Sequence, residues 1–156
     1  MSDYCFATVW NINAALERVY AAIEAADAWP SWWRGVLSSI ELHPGDAAGV
    51  GSIRRTVWKS ALPYKLEFDS ELVRVERNGL IEVRAFGQLD GCGLWRFEGR
   101  SAVTTCVRYD WTVKTTKPWM NVISPVARPI FRWNHDVIMG WGERGLNRHL
   151  SAPQDR

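Results

Sequence analysis

A chain of 156 residues, 47% hydrophobic and 23% charged, has the size and polarity of one domain with its own core and is short for two. Its net charge is only +2, and no basic stripe or groove of alternating basic and aromatic residues is apparent, which argues against nucleic acid as a partner. The ten tryptophans are more large flat rings than such a core ordinarily takes, and indoles tolerate burial best where the N–H finds a partner or one edge stays wet, as in a pocket, an interface or a membrane-facing rim.

The N-terminal stretch MSDYCFATVW lacks a basic start followed by an apolar run, so no signal peptide is expected. No window approaches the roughly 18 consecutive apolar residues of a membrane span. Cys5, Cys92 and Cys106 are odd in number, widely spaced and without Cys/His ligand spacing. They are expected as reduced thiols in a cytoplasmic protein with no metal and no cofactor.

Residues 4–12 alternate loosely, carrying Val9, Trp10 and Ile12, and predict a first strand. Asn13 is a candidate cap for the helix behind it. There Leu16, Val19, Tyr20 and Ile23 form one apolar stripe, with Glu17, Arg18 and Glu24 off it. Pro30 breaks this run, and a second short helical turn is expected to hold Trp29, Trp32 and Trp33. From about residue 36 to about residue 114 the chain reads as strands. Pro44-Gly45-Asp46 and Gly49 to Gly51 punctuate one turn and Pro63 another, after which Tyr64, Leu66 and Phe68 alternate with Lys65, Glu67 and Asp69.

One hairpin is legible in register. With Arg77-Asn78-Gly79 as a three-residue loop and Gly79 left-handed, Val75 faces Ile81, Val73 faces Val83, and Arg74 opposes Glu82 on the outer side. A two-residue Asn-Gly turn would pair Val75 with Glu82 and mix the faces, so the first register is preferred. Leu66 and Phe68 are then out of phase with Val73 and Val75, which predicts a bulge near Asp69 or Ser70 and a curved sheet. Trp95 and Phe97 share a face, as do Thr105, Val107, Tyr109, Trp111 and Val113, while Cys106, Arg108, Asp110, Thr112 and Lys114 take the other. One buried and one wet side favour an antiparallel sheet.

After Lys117-Pro118 the period becomes helical. Pro125 and Pro129 limit any helix before residue 129, and Pro129 suits a first turn. From Ile130 to about Leu150 the helical wheel gathers Phe131, Ile138, Gly142, Gly145 and Leu146, with Arg132, Asp136, Glu143 and Asn147 opposite. The tail beyond about residue 150 is expected to be disordered. The order is strand, two short helices, six strands and a long helix, an α+β arrangement in one domain over residues 1–156. A concave antiparallel sheet has to bury its inner face, and the last helix is the only element long enough to cover it.

That order resembles the START-related superfamily over nearly the whole chain, and within it the polyketide cyclase/dehydrase and lipid-transport group. The residues that carry the resemblance are Trp10-x-Ile12-x-Ala14, Trp29-Pro30-Ser31-Trp32-Trp33, the glycine-rich turn through Gly51, and Leu62-Pro63-Tyr64. It continues in Gly87-x-Leu89-x-Gly91-x-Gly93-x-Trp95, Phe131-Arg132-Trp133-Asn134-His135 and Gly142-x-x-Gly145-Leu146. The resemblance implies the helix-grip fold, in which a curved seven-stranded antiparallel sheet wraps a long C-terminal helix, with two short helices after strand 1. It also implies a cavity between sheet and helix for lipids, polyketides, hormones or other apolar ligands. None of the motifs is a catalytic signature, and fold alone does not choose among carriers, sensors and cyclases.

His135 falls on the apolar helix face, one turn from Phe131 and three residues before Ile138. Imidazole there can hydrogen-bond a ligand carbonyl or serve as a general base. Its other explanation is a core histidine satisfied by a backbone carbonyl or by the hydroxyl of Tyr64 or Tyr109. Asn134, at the edge of the same face, can add an amide. Gly142 and Gly145 each cost about 1 kcal/mol against alanine in a helix interior, so either the helix packs very closely there or the missing side chains leave room for a ligand. Trp10, Trp95, Tyr109, Trp111 and Trp141 are candidates for an aromatic pocket. Trp119 and Met120, close to Lys117 and Arg128, are candidates for transient contact with a membrane surface. The Gly87 to Gly93 run joins two strands and opens no helix, so it implies no phosphate cradle. There is no GxSxG and no nucleophilic Cys/His arrangement, and Glu67, Asp69 and Glu71 at alternate positions mark a solvated strand face.

Three functions stand open on this reading. The first is binding, and carrying or presenting, an apolar small molecule such as a lipid, quinone or polyketide intermediate, by a monomer or a homodimer. Trp10, Tyr64, Trp95, Tyr109, Trp111, Ile138, Trp141 and Gly142 would then form the wall, with Asn134 and His135 as polar anchors. The second is a cyclase/aromatase-type enzyme in which His135 takes a proton α to a carbonyl and Tyr64 or Tyr109 stabilises the enolate oxygen. The third is a protein-interaction module with a vestigial pocket, exposing Trp29, Trp32, Trp33 or Trp119. His135 beside a ligand-sized void, with a second donor converging, is what catalysis would require.

Overall fold

Alternation along the first strand, β1 (Asp3–Ile12), sets the faces of the sheet: Tyr4, Trp10 and Ile12 are buried, while Cys5, Val9 and Asn11 face outward. The computed structural model describes residues 3–115 and 124–151. After β1 come α1 (Leu16–Glu24), a single 3-10 turn (Ala26–Ala28) and the one-turn α2 (Trp29–Trp32). Six further strands follow, β2 (Val36–His43), β3 (Ile53–Lys59), β4 (Lys65–Glu76), β5 (Leu80–Gly87), β6 (Leu89–Ser101) and β7 (Thr104–Thr115), and the long helix α3 (Ser124–Ser151) closes the described chain. The seven strands form one antiparallel sheet in the order β1-β7-β6-β5-β4-β3-β2. The fold is the α+β helix grip that the sequence resemblance implied.

The apolar stripe of α1 is buried through Val19, Tyr20 and Ile23, and Tyr20 meets Phe97 of β6 edge to face at 5.1 Å. Asn13 does not cap this helix. The N-cap is Ala15, without a side-chain bond, because two residues separate Asn13 from the first helical turn. Nor does Pro30 end α1, which stops at Glu24; Pro30 sits in the first turn of α2, where a missing N–H costs nothing.

The β4–β5 hairpin has Val75 opposite Ile81 and Arg74 opposite Glu82, joined by a 3.1 Å salt bridge on the outer face. Two details differ from the sequence reading. The left-handed residue of the turn is Asn78, at φ 62°, not Gly79; asparagine is one of the few residues that adopts this region readily. The bulge lies at Val73, so that Leu72 rather than Val73 faces Val83, and Val73 is turned out to 40% exposure. The cause is tertiary. The Leu72 carbonyl accepts from Gly51 N–H at 2.7 Å and its own N–H donates to the Ser52 carbonyl at 3.0 Å, which keeps Leu72 in phase with Leu66 and Phe68.

Helix α3 begins at Ser124, earlier than Pro129 suggested, and Pro129 lies inside its second turn, where it removes one intrahelical bond without ending the helix. Glu143 and Asn147, expected to face away from the sheet, instead hold its edge strand. Glu143 Oε2 accepts from Asn11 N–H at 2.8 Å, Asn147 Oδ1 accepts from Asn13 N–H at 2.8 Å, and Asn147 Nδ2 donates to the Asn11 carbonyl at 3.1 Å. Side chains thus satisfy backbone groups that an edge strand leaves unpaired. The expected disordered tail lies outside the described residues.

Gly142 and Gly145 of α3 are explained by close packing. A Cβ on Gly142 would stand 2.6 Å from both Trp10 Cζ2 and Trp33 Cε2, and one on Gly145 would collide with the backbone carbonyl of Trp32. A ring can tilt, but the carbonyl is fixed by α2. Gly145→Ala is therefore expected to lose about 1–3 kcal/mol net of stability from overpacking, despite its better helix propensity. The measurement is a lower urea midpoint with an unchanged slope.

Candidate functional site

The interior holds two apolar clusters. One gathers Trp10, Trp33, Trp95, Phe97, Met139 and Leu146 beneath α1, α2 and the C-terminal half of α3. The other gathers Tyr4, Ala85, Leu89, Trp111 and Val113, with Phe6 and Phe131 against it. Between sheet and α3 lies a cavity of about 370 Å³, lined from both clusters. So many large rings do not close-pack across the concave sheet, and a void is left where they meet.

The sheet side of this cavity is an aromatic surface. Trp95 stacks on Tyr109 at 4.1 Å and Tyr109 on Trp111 at 5.9 Å; Trp111 lies 5.6 Å from Phe68, and Phe68 is parallel to Trp58 at 6.5 Å. Several indole N–H groups around it are engaged within the protein: Trp58 donates to Thr56 Oγ1 at 2.9 Å, Trp29 to the Ile23 carbonyl at 3.0 Å and Trp33 to the Ile138 carbonyl at 2.9 Å. These rings therefore offer the cavity apolar surface.

At the α3 side, His135 lies flat against Phe6 of β1, with ring centroids 4.3 Å apart. Its Nδ1 is buried and has no hydrogen-bond partner, and the nearest carboxylate oxygen, of Asp136, is 3.9 Å away, too far for one. Burial holds the imidazole pKa down to about 4, so the ring is neutral at physiological pH. Tyr64 and Tyr109 also line the cavity, and burial raises the pKa of both phenols; for Tyr64, nearby Tyr4 adds to the effect. Asn134 lines the same region, but its side-chain carbonyl accepts a hydrogen bond from Ser60 Oγ and so ties α3 to the β3–β4 connection.

Of the residues singled out from sequence, Tyr64, Trp95, Tyr109, Trp111, Asn134, His135 and Ile138 are brought together on the cavity wall. Trp10, Trp141 and Gly142 are not. Trp10 is 2% exposed, wedged edge-on between Trp33 and Trp95 behind the wall. Gly142 lies against that wedge, and Trp141 faces away, under the guanidinium of Arg34 at 4.3 Å. Trp32 and Trp33 are buried and Trp29 is half-buried, so they form no exposed patch for a protein partner. Trp119 and Met120 lie outside the described residues. Also on the wall, though not singled out from sequence, are Arg54, Thr56 and Trp58 on the inner face of β3, and Tyr4 and Phe6 on β1. Period-2 phasing of β1 from Trp10 was the available signal for Tyr4 and Phe6.

Among the described residues no group of acidic, histidine and cysteine side chains is placed to hold a metal, and no helix is long and apolar enough to cross a membrane. Cys5 and Cys92 are exposed, Cys106 is half-buried, and all three are free.

A seven-stranded sheet gripping a long C-terminal helix over an aromatic cavity defines a helix-grip protein. The chain belongs to the family described as polyketide cyclase / dehydrase and lipid transport, which it matches over residues 5–145. Among solved structures it is similar to the protein TTHA0849 from Thermus thermophilus, with 18% identity and a TM-score of 0.77, covering 96% of this chain and 100% of that one. A START superfamily protein from Mycobacterium smegmatis follows, with 13% identity and a TM-score of 0.76 over 93% and 95% of the two chains. The Zhui aromatase/cyclase from Streptomyces sp. R1128 has 11% identity and a TM-score of 0.74 over 95% and 93%. At such identities the likeness is one of fold. No curated protein matches the sequence significantly.

Proposed function

We propose that the protein binds a planar apolar small molecule with at least one hydrogen-bonding oxygen, and carries or presents it. The observation that carries this reading is the His135 Nδ1. Among the described residues, His135 is the one cavity-lining residue whose side chain holds a buried, unpartnered nitrogen or oxygen. Such an atom is costly, and a small turn of the ring that brings Nδ1 to a ligand oxygen would relieve that cost. The stacked aromatic surface suits a flat body such as a quinone or a polyketide-derived ring system. The volume lies at the lower end of the roughly 300–1,000 Å³ usual for ligand pockets. With His135 unprotonated and the phenols of Tyr64 and Tyr109 protonated, the groups facing the ligand at this end are neutral, so they suit a carbonyl or hydroxyl oxygen rather than an ion. Trp95, Tyr109, Trp111 and Ile138 would bear on its faces.

The same environment weighs against His135 as a general base. A catalytic base works best with a pKa near the working pH, and this one is held near 4.

Titration with pyrenebutanol, a flat apolar probe of suitable size, is the test. Saturable one-to-one quenching of tryptophan emission is expected, with energy transfer to pyrene. Absence of saturable binding of this probe, together with a ligand-free mass for the protein as isolated from cells, would overturn the reading.

A further inference from the structure

The other end of the cavity opens between the 3-10 turn after α1 and the β2–β3 hairpin, where Glu24, Ala26, Glu41, Ala48 and Gly49 line it together with Arg54. Arg54 is the only arginine or lysine among the described residues lining the cavity. It stands on the inner face of β3, paired across the sheet with Glu41 of β2 and Ser70 of β4. Its Nη1 donates to Asp27 Oδ1 and, at 3.2 Å, to Ser39 Oγ.

The pair is lopsided. The Arg54 side chain is only 19% exposed, whereas Asp27, on the 3-10 turn, is 78% exposed. Solvent therefore screens the carboxylate strongly and the guanidinium weakly, and a salt bridge with one partner so exposed contributes little. Arginine carries five N–H donors in a planar fork. The hydrogen bonds of Arg54 to Asp27 and Ser39 both leave from Nη1, so a second acceptor with carboxylate geometry can be taken on the rest of the fork or in place of Asp27.

We propose that Arg54 is an anion subsite at the cavity mouth, receiving the carboxylate of a ligand whose apolar body fills the cavity. Asp27 then acts as a latch that the ligand displaces or shares. Glu24 and Glu41 are exposed and repel an anion not seated on Arg54, so recognition is positional: a carboxylate is accepted at the guanidinium and disfavoured elsewhere on the rim. The ligand is thereby an amphipathic acid, flat and uncharged at the His135 end and anionic at the mouth. This rests on the cavity being the binding site.

The experiment compares pyrenebutyrate with pyrenebutanol on the wild type, Arg54→Gln and Asp27→Asn, at low and high salt. On the wild type the acid is expected to bind about tenfold more tightly than the alcohol, the worth of one charge-assisted contact. Salt should erode this preference. Arg54→Gln is expected to abolish this preference, lowering affinity for the acid far more than for the alcohol, and Asp27→Asn to raise affinity for the acid severalfold. Equal binding of acid and alcohol by the wild type, or a preference that survives Arg54→Gln, overturns the subsite while leaving the cavity reading intact. Failure of both probes to bind the wild type overturns the cavity reading itself. Should Arg54→Gln not fold, Asp27→Asn decides, since an exposed surface substitution that leaves the affinity for the acid unchanged contradicts the latch.

Discussion

Between pH 7 and pH 4 the protein is expected to lose about 3 kcal/mol of folding stability through His135 alone, and the His135→Phe variant to be spared that loss. The magnitude follows from an imidazole pKa held at about 4 in the fold, against the ordinary 6.5. The side chain is 14% exposed, so solvent screening discounts little of it. In the unfolded chain His135 takes up a proton as the pH falls through 6.5, whereas in the fold it does so only near 4. Within that window the unfolded state binds more protons, so stability falls as the pH falls. The contribution is complete above 6.5 and gone near 4. Phenylalanine keeps the stacking on Phe6, 4.3 Å away in the native pair, and cannot titrate. Urea midpoints of both proteins across this range are the measurement. Carboxylates titrate in both, so the difference between the two curves isolates the histidine. Parallel curves would mean that the ring is hydrated or paired in solution, and the argument for a ligand oxygen at Nδ1 would fall with it.

Much of the fold is legible in the sequence, because a half-buried strand writes its face in every second residue. The inward row Thr105, Val107, Tyr109, Trp111 and Val113 and the Arg74–Glu82 pair follow from that alternation alone. What escapes is decided by contacts distant in sequence. The bulge stands at Val73 because the β2–β3 loop grips the backbone of Leu72, and Glu143 and Asn147 turn out to bond β1 because that strand lies at an edge. The site is less legible than the fold. Trp10 and Trp95 both point inward from neighbouring regions of the sheet, yet only Trp95 reaches the cavity, since Trp10 is locked against Gly142. On β3, the segment Ile53-Arg54-Arg55-Thr56-Val57-Trp58-Lys59 puts polar residues on both faces, so its phase cannot be read from hydrophobicity. Arg54, the charged group of the mouth, is hidden for that reason.

The glycine run of β6 looks like a phosphate loop that fails, and its place in the sheet gives at least one of its glycines another purpose. Gly93 pairs with Trp111 on the inner face, and a Cβ there would stand 2.7 Å from the Tyr109 hydroxyl and 2.9 Å from Trp111 Cε3. The bare backbone thus lets two rings of the aromatic surface lie back over β6, and the cavity in front of them has its depth for that reason. Gly91 differs, since a Cβ there would run into the Thr112 carbonyl, which belongs to the backbone of β7. At Gly93 only side chains stand in the way, and they can move in one direction, into the void. Gly93→Ala is therefore expected to fold, with stability within about 1 kcal/mol of the wild type, the strand gaining from the lost glycine entropy what the rings lose in packing. Its affinity for pyrenebutanol is expected to fall roughly tenfold or more, the consequence of overpacking a site by one methyl group. Near-UV circular dichroism would register the turned rings, and titration the lost space. Wild-type affinity with a changed aromatic spectrum would place the probe against some other wall and would overturn a flat ligand stacked on Tyr109 and Trp111.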